Sequence, residues 1–255
     1  MNRRSEVAHF AEFCREHLIQ SEDRWEGEPL ELEDWQRQMM GEALSYDEAG
    51  LATWRWVVIV APRKNGKTAI PAALSLYRLL TSEGRPEILL AAPSDTVAGR
   101  LFDACARFVR RSPELSKLLR VRDHAGEIVR DDGMGIIYRL SSDPQRLDGY
   151  NPTHVVCDEL ASWVTPNLRR AYAALTSGGG ARSAPQVFTI TTAAEAIYRH
   201  DPILGSILDA AADADDLTRE PGLTVSRMND ARTLVCAAPT TDPRDIAAMK
   251  LANPA

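Results

Sequence analysis

Cysteine is sparse and scattered in this 255-residue chain: Cys14, Cys105, Cys157 and Cys236 form no C-x-x-C pair. That spacing excludes the usual zinc motifs and a disulfide framework, and it leaves four thiols expected to be reduced and mostly buried. Long apolar runs are missing as well, since Trp56 to Ala61 falls far short of the roughly 18 residues a membrane span needs. The opening Met1-Asn2-Arg3-Arg4 leads into alternating charged and apolar residues rather than a signal-peptide core, so a cytosolic setting is expected. Excess positive charge is absent too. With 30 Lys plus Arg against 36 Asp plus Glu the formal charge is −6, so any nucleic-acid contact must come from a local patch and not from a global field. Only 15 glycines and 15 prolines, beside 44% hydrophobic residues, exclude collagen-like and wholly disordered chains and leave a globular fold with a sizeable core.

What is present is an alternation of short apolar runs and helical patterns. Val7, Phe10, Ala11, Cys14 and Leu18 recur at helical spacing until Gly27 and Pro29, and a second short helix is expected around Trp35 to Leu44. The run Trp56 to Val60 reads as a strand leading through a loop into a helix over 69–80. Ile88 to Ala92 reads as the next strand, with Pro93-Ser94-Asp95 as turn and N-cap before a helix whose inner face carries Val97, Leu101, Ala104, Cys105 and Phe108. Ile128-Val129 and Ile136 to Leu140 flank Asp131-Asp132-Gly133, a hairpin signal read as an inserted antiparallel pair. Strands over His154 to Cys157 and Gln186 to Thr191 follow, separated by a helix ending near Thr176. Beyond Thr192 the reading is a helix over 197–217, a strand over Thr233 to Cys236, and a helix over 242–251. Such alternation implies an α/β fold with a mainly parallel central sheet flanked by helices and an antiparallel hairpin addition. The expected division is an N-terminal helical arm, 1–53, a core, 54–195, and a helical or linker part, 196–255.

Three strand ends carry chemistry. Ala61-Pro62-Arg63-Lys64-Asn65-Gly66-Lys67-Thr68 matches the phosphate-loop pattern G-x-x-x-x-G-K-[ST] except for Ala in the first place. Between a buried strand and a helix it makes an anion nest, with Lys67 reaching the β and γ phosphates of ATP and the Thr68 hydroxyl ligating Mg²⁺. Val155-Val156-Cys157-Asp158-Glu159 ends another buried strand as a Walker B element does. There Asp158 would hold Mg²⁺ through water and Glu159 would polarise the attacking water, although a strand ending in Asp-Glu is on its own usually only a capped loop. Thr189-Ile190-Thr191-Thr192 ends a third, either as a sensor of the γ phosphate or simply as a threonine-rich strand. Upstream, Gln36 offers an amide suited to an adenine edge, or is an ordinary helix-surface residue. In the polar loop 141–152, Arg146 has the reach of an arginine finger toward a neighbouring subunit's γ phosphate.

Taken in order, Trp35-Gln36, the Ala61–Thr68 loop, Leu147-Asp148-Gly149-Tyr150-Asn151-Pro152, Val155 to Leu160 and Thr189 to Thr192 resemble the ATPase domain of tailed-bacteriophage large terminase subunits. The resemblance covers about residues 25–255. It implies a P-loop NTPase of the RecA-like type in which an additional strand and a catalytic glutamate take part, binding ATP and Mg²⁺. It places Gln36 at the adenine and Arg63, Lys64, Asn65, Gly66, Lys67 and Thr68 at the phosphates. Asp158 and Glu159 fall at metal and water, and Thr191 and Thr192 in a coupling motif. Arg146 is the implied trans-acting finger, with Arg139 the next candidate. Implied partners are double-stranded DNA, the portal protein, the small terminase subunit and further copies of the chain, in a ring expected to be a pentamer on the procapsid and a monomer in dilute solution. The implied place is the cytoplasm of the infected bacterium, outside the mature virion. No acidic strand triad follows Thr192, so the nuclease half of such proteins is expected to be absent, and with it DNA cleavage.

Two rival classes stay open on the sequence: another P-loop enzyme such as a helicase fragment, and a nucleotide-gated docking module with negligible turnover. Glu159 beside the metal ligand favours hydrolysis over mere binding. The densest basic zone, Arg107, Arg110 and Arg111 with Arg120 and Arg122, and the smaller Arg169-Arg170 pair are candidate DNA contacts, or else solvated faces.

Overall fold

The structure, a computed structural model, describes residues 3–21, 25–45, 52–62, 65–140, 147, 149–192, 203–220, 223–228 and 231–236. Among these residues ten strands form one sheet: β1 (Trp56–Ala61), β2 (Glu87–Ala91), β3 (Leu119–Arg122), β4 (Glu127–Arg130), β5 (Ile136–Arg139), β6 (His154–Asp158), β7 (Gln186–Thr192), β8 (Asp216–Glu220), β9 (Leu223–Met228) and β10 (Ala231–Cys236). Their order is β3-β4-β5-β2-β6-β7-β1-β10-β9-β8. The middle run from β5 to β10 is parallel, and antiparallel pairs extend it at both edges. Helices are α1 (Arg3–His17), α2 (Asp34–Ala43), α3 (Ala69–Thr81), α4 (Asp95–Arg111), the single turn α5 (Leu115–Leu118), α6 (Pro166–Ser177) and α7 (Leu204–Ala212).

Central strands read as unbroken apolar runs because both faces are covered. In β1, Val57, Ile59 and Ala61 join a core formed with α1, α2, α3 and α4, whereas Val58 and Val60 join a second core with α6, Trp163 and Leu204. The period of two along a strand thus divides one sequence run between two hydrophobic cores. Helix α4 starts where turn chemistry predicts, with the Ser94 hydroxyl accepting the Val97 N–H at 3.3 Å. Its inner face buries Leu101, Ala104, Cys105 and Phe108. Cys14, Cys105 and Cys157 are buried free thiols, and burial raises the pKa of each.

The expected antiparallel hairpin addition is present as β4 and β5, and β5 joins it to the main sheet by pairing in parallel with β2. One expectation changes. The stretch after 196 was expected to be helical or linker, yet α7 stops at Ala212 and three strands follow. Only β10 was foreseen, as the strand over Thr233 to Cys236. Edge strand β8 carries the charged run Asp216-Leu217-Thr218-Arg219-Glu220, whose weak apolar alternation hides it, and Arg227 of β9 fixes Asp216 with two 2.8 Å bonds. Such charge suits a sheet edge. The helix expected over 242–251 lies outside the described residues.

Candidate nucleotide site

Strand β7 lies between β1 and β6, and the register sets Ala61 level with Thr192 and Asp158 level with Ile190. Three strand tips carrying the phosphate loop, the threonine pair and the Asp-Glu pair therefore stand side by side at the C-terminal edge of a parallel sheet, where open α/β sheets bind ligands. With strands about 4.8 Å apart, the outer two tips are roughly 10 Å from each other.

The loop's departure from the phosphate-loop pattern has a local explanation. Ala61 ends β1 in extended conformation, buried in the core, so no positive φ calls for glycine there. Gly66 is different: its φ is +73°, a backbone that disfavours any side chain, and a Cβ there would stand 3.1 Å from Gln36 Nε2 and 3.3 Å from Ile70 Cδ1. Asn65 is buried and its amide donates to the Pro62 carbonyl at 3.4 Å. The Lys67 ammonium donates to the same carbonyl at 2.6 Å, folding the side chain back over its own loop. Thr68 precedes α3 with no capping bond from its hydroxyl, which is exposed. Arg63 and Lys64 lie outside the described residues, as does Arg146.

Gln36 reaches this loop from α2. Its Oε1 accepts the Glu33 N–H at 3.0 Å in a reciprocal capping box, and its Nε2 faces Gly66. The first turn of α2 is thereby docked on the phosphate loop, and Gln36 stands beside Gly66.

Asp158 is 8% exposed at the end of β6. Burial pushes its carboxyl up to about 6; the Glu159 N–H, bonded to Oδ1 at 2.8 Å, opposes the rise, the Glu159 charge adds to it, and the Lys67 ammonium lowers it. An acid so poised is returned to its charged form by a cation. The Asp158 carboxylate and the Thr68 hydroxyl are each a hard-oxygen donor of the type that suits Mg²⁺. Glu159 adopts φ 51° and ψ 47°, and it is the sole non-glycine residue with positive φ among the described residues. Left-handed backbone costs an ordinary residue about 1–2 kcal/mol, so neighbouring contacts must hold it.

Those contacts include residues that sequence patterns did not single out. The Trp163 indole N–H donates to the Asp158 carbonyl at 2.9 Å, and the Ala161 N–H donates to Thr191 Oγ1 at 3.0 Å. Both Trp163 and Thr191 are buried. Trp163 meets Tyr172 of α6 edge-to-face at 5.8 Å, and the Tyr172 hydroxyl bonds the Thr189 hydroxyl at 3.3 Å. The turn carrying Glu159 is thus tied to its own strand, to the threonine strand and to α6. Thr192, half-buried, stands one residue beyond Thr191 on the same tip. The only sequence signal for Trp163 was a large aromatic in a loop directly after Asp-Glu.

Arg139, the alternative finger, ends β5 with its guanidinium 3.8 Å from Asp95 and over the Phe102 ring at 5.8 Å. The basic zone is neutralised locally: Arg110 pairs with Asp123, Arg111 with Glu26, Arg120 with Asp131 and Arg122 with Glu127.

A phosphate loop, an Asp-Glu strand end and an intervening strand define a P-loop NTPase of the additional-strand, catalytic-glutamate class. Residues 34–201 match the family model "Terminase large subunit, ATPase domain", and the chain belongs to that family. Among solved structures it is similar to the large terminase of bacteriophage HK97, with a TM-score of 0.76 and 21% identity, covering 100% of this chain and 48% of that one. The large terminase ATPase domain of Thermus phage P74-26 aligns at a TM-score of 0.50 and 13% identity over 81% of this chain and 86% of that one. The large terminase of the thermophilic bacteriophage D6E aligns at 0.53 and 13% over 78% and 45%. At these identities the likeness establishes the fold, and the chain spans about half the length of the HK97 protein. Comparison with curated protein sequences finds no match.

Proposed function

We propose that this chain is the ATP-hydrolysing motor domain of a viral DNA-packaging terminase, driving double-stranded DNA into a procapsid. The observation that carries the reading is the buried Asp158 and the left-handed Glu159, held one strand away from the threonine tip and two from the phosphate loop. A protein that only bound nucleotide would have no use for a strained carboxylate beside the metal ligand.

In this reading the phosphates of ATP lie on the N–H groups of the loop ahead of α3, and Lys67 leaves the Pro62 carbonyl to meet them. Arg63, Lys64, Asn65 and Gly66 complete the cradle, and Gln36 meets the adenine. Thr68 and Asp158 hold Mg²⁺, which when bound neutralises charge on the phosphates. Glu159 orients the attacking water and accepts its proton. Thr192 faces the γ phosphate, and Thr191 passes its displacement to the Glu159 turn through the Ala161 N–H. Arg146 serves the neighbour's nucleotide within a ring, pentameric on the procapsid and dissociated in dilute solution. The portal protein and the small terminase subunit are the protein partners. The place of work is the infected cell's cytoplasm, and the mature virion lacks the chain.

Steady-state ATPase at raised protein concentration tests this. Lys67→Ala and Asp158→Asn should lose Mg²⁺-dependent turnover, and Glu159→Gln should bind MgATP while hydrolysing it at least a hundredfold more slowly, the low end of general-base effects. Unchanged turnover in Lys67→Ala would sink the assignment. Mixing Arg146→Ala with Glu159→Gln subunits should recover activity at shared interfaces, and a dead mixture would turn attention to Arg139.

A further inference from the structure

Among the described residues the sheet is covered on both faces at its centre but on one face only near β4 and β5. Helices α3 and α4 pack on the face where Ile128 and Ile137 are buried, and on the opposite face Val129, Ile136 and Tyr138 are only half-buried. Those side chains help to floor a groove of about 590 Å³. Arginines from three separate elements converge on it: Arg85 from the α3–β2 loop, Arg122 from the end of β3 and Arg182 from the loop before β7.

Two of them, Arg85 and Arg182, differ from the arginines of the basic zone, to which Arg122 belongs. Arg122 has Glu127 as partner, but Arg85 bonds only the Gly133 carbonyl, at 3.5 Å, and Arg182 only the Asn151 carbonyl, at 2.8 Å through Nε. A guanidinium fixed by one carbonyl keeps its full charge and most of its five donors. The groove's acid is Glu87, whose Oε1 already takes the Asn151 N–H at 2.7 Å. Counting Glu87 and the Glu127 partner of Arg122 against the three arginines, the open groove keeps a net positive charge of one in a chain of net charge −6.

We infer that this groove holds the phosphodiester backbone of double-stranded DNA, a reading that rests on the packaging function proposed above. A guanidinium fork matches phosphate oxygens, and such contacts position a duplex without reading its sequence, as translocation of any DNA requires. Protein partners also dock on apolar floors rimmed by arginine, so the choice of DNA rests on the excess of guanidiniums over carboxylates and not on a lack of apolar anchors. The groove also opens at the start of β2 and β5, whereas Lys67, Asp158 and Thr191 sit at the opposite ends of the parallel strands. Strands of about five residues are roughly 16 Å long, so DNA here does not compete with ATP.

The test uses the whole chain and a labelled 30-base-pair duplex titrated from 50 to 200 mM salt. An Arg85→Ala/Arg182→Ala double variant is compared with an Arg110→Ala/Arg120→Ala control, which removes ion-paired arginines. The groove variant should keep its melting temperature and its DNA-free ATP turnover. At 50 mM salt it should bind duplex about tenfold more weakly, with a salt slope shallower by about two, one for each lost phosphate contact. The control should bind as wild type. Equal binding by groove variant and wild type, or an equal loss in the control, overturns the inference. So does wild-type binding of a polyglutamate peptide through Arg85 and Arg182 with no binding of duplex, which would make the groove a site for an acidic protein segment. Turnover measured in the same samples keeps the two ideas apart: active protein whose DNA binding ignores the groove refutes this inference alone, and wild type with no turnover counts against the motor reading.

Discussion

Trp163 and Asp158 are joined by a bond between the indole N–H of one and the backbone carbonyl of the other, 2.9 Å long and fully enclosed. The bond spans the turn that carries Glu159, so the buried ring fixes where β6 stops and how the backbone turns at Glu159. Trp163→Phe keeps most of the ring volume and its contact with Tyr172 but leaves the Asp158 carbonyl without its donor. An unsatisfied buried acceptor costs about 1–3 kcal/mol. We expect kcat to fall about tenfold with ATP affinity unchanged, because Trp163 positions Glu159 and touches no phosphate. A parallel loss of nucleotide affinity would mean that Trp163 supports the whole pocket.

The left-handed backbone of Glu159 makes a prediction about stability that is independent of activity. Glu159→Ala keeps a Cβ and hence the strain, whereas Glu159→Gly removes it. In most positions glycine is the less stable of the two by about 0.5–1 kcal/mol. Here the order should reverse, with the glycine variant melting about 2 °C above the alanine variant for a chain of this size. Both should be inactive. Melting in the ordinary order would show that the turn relaxes when the carboxylate is gone.

Thr191 holds the Ala161 N–H from the neighbouring strand. Thr191→Val matches the shape but cannot accept that bond, so stability should drop by about 1–3 kcal/mol and hydrolysis should slow. Thr191→Ser restores the acceptor and should restore kcat. If the serine variant turned over as slowly as the valine one, the methyl group's packing rather than the hydrogen bond would be what matters.

Much of the site was legible because its parts are local. A phosphate loop is one contiguous segment whose glycine and lysine are demanded by backbone geometry and charge, and Asp158-Glu159 shows as acids ending an apolar run. What joins them is not local. That β7 lies between β1 and β6, or that a tryptophan folds back on Asp158, follows from strand order and packing, which leave no period in the sequence. Ion pairing is not local either: Arg110, Arg111, Arg120 and Arg122 cluster in the chain, and Asp123, Glu26, Asp131 and Glu127 meet them in the fold. Arg85 and Arg182, nearly a hundred positions apart, share a groove instead. Strand β8 escaped notice because an edge strand with one apolar residue lacks the alternation of a half-buried one.

His154, at the start of β6, makes the fold acid-sensitive. It is fully enclosed, its Nε2 has no hydrogen-bond partner, and burial, helped by the nearby Arg78 charge, lowers its pKa to about 3 from the ordinary 6.5. The folded chain therefore keeps the ring neutral, while the unfolded chain takes up a proton below about pH 6.5. Stability is unaffected by this group above that pH and falls as the pH drops from 6.5 toward 3, by about 1.4 kcal/mol for each unit. His154→Phe keeps a ring of similar size, removes the orphaned nitrogen and cannot be protonated. Urea unfolding of wild type and variant at pH 7.5, 6.5, 5.5 and 5.0, above most carboxylate titration, isolates the effect. The two stabilities should run parallel between pH 7.5 and 6.5 and then diverge, the wild type losing about 2 kcal/mol more than the variant by pH 5.0. Parallel curves over the whole range would mean that the imidazole is protonated in the folded state, and with it that the start of β6 is open to water.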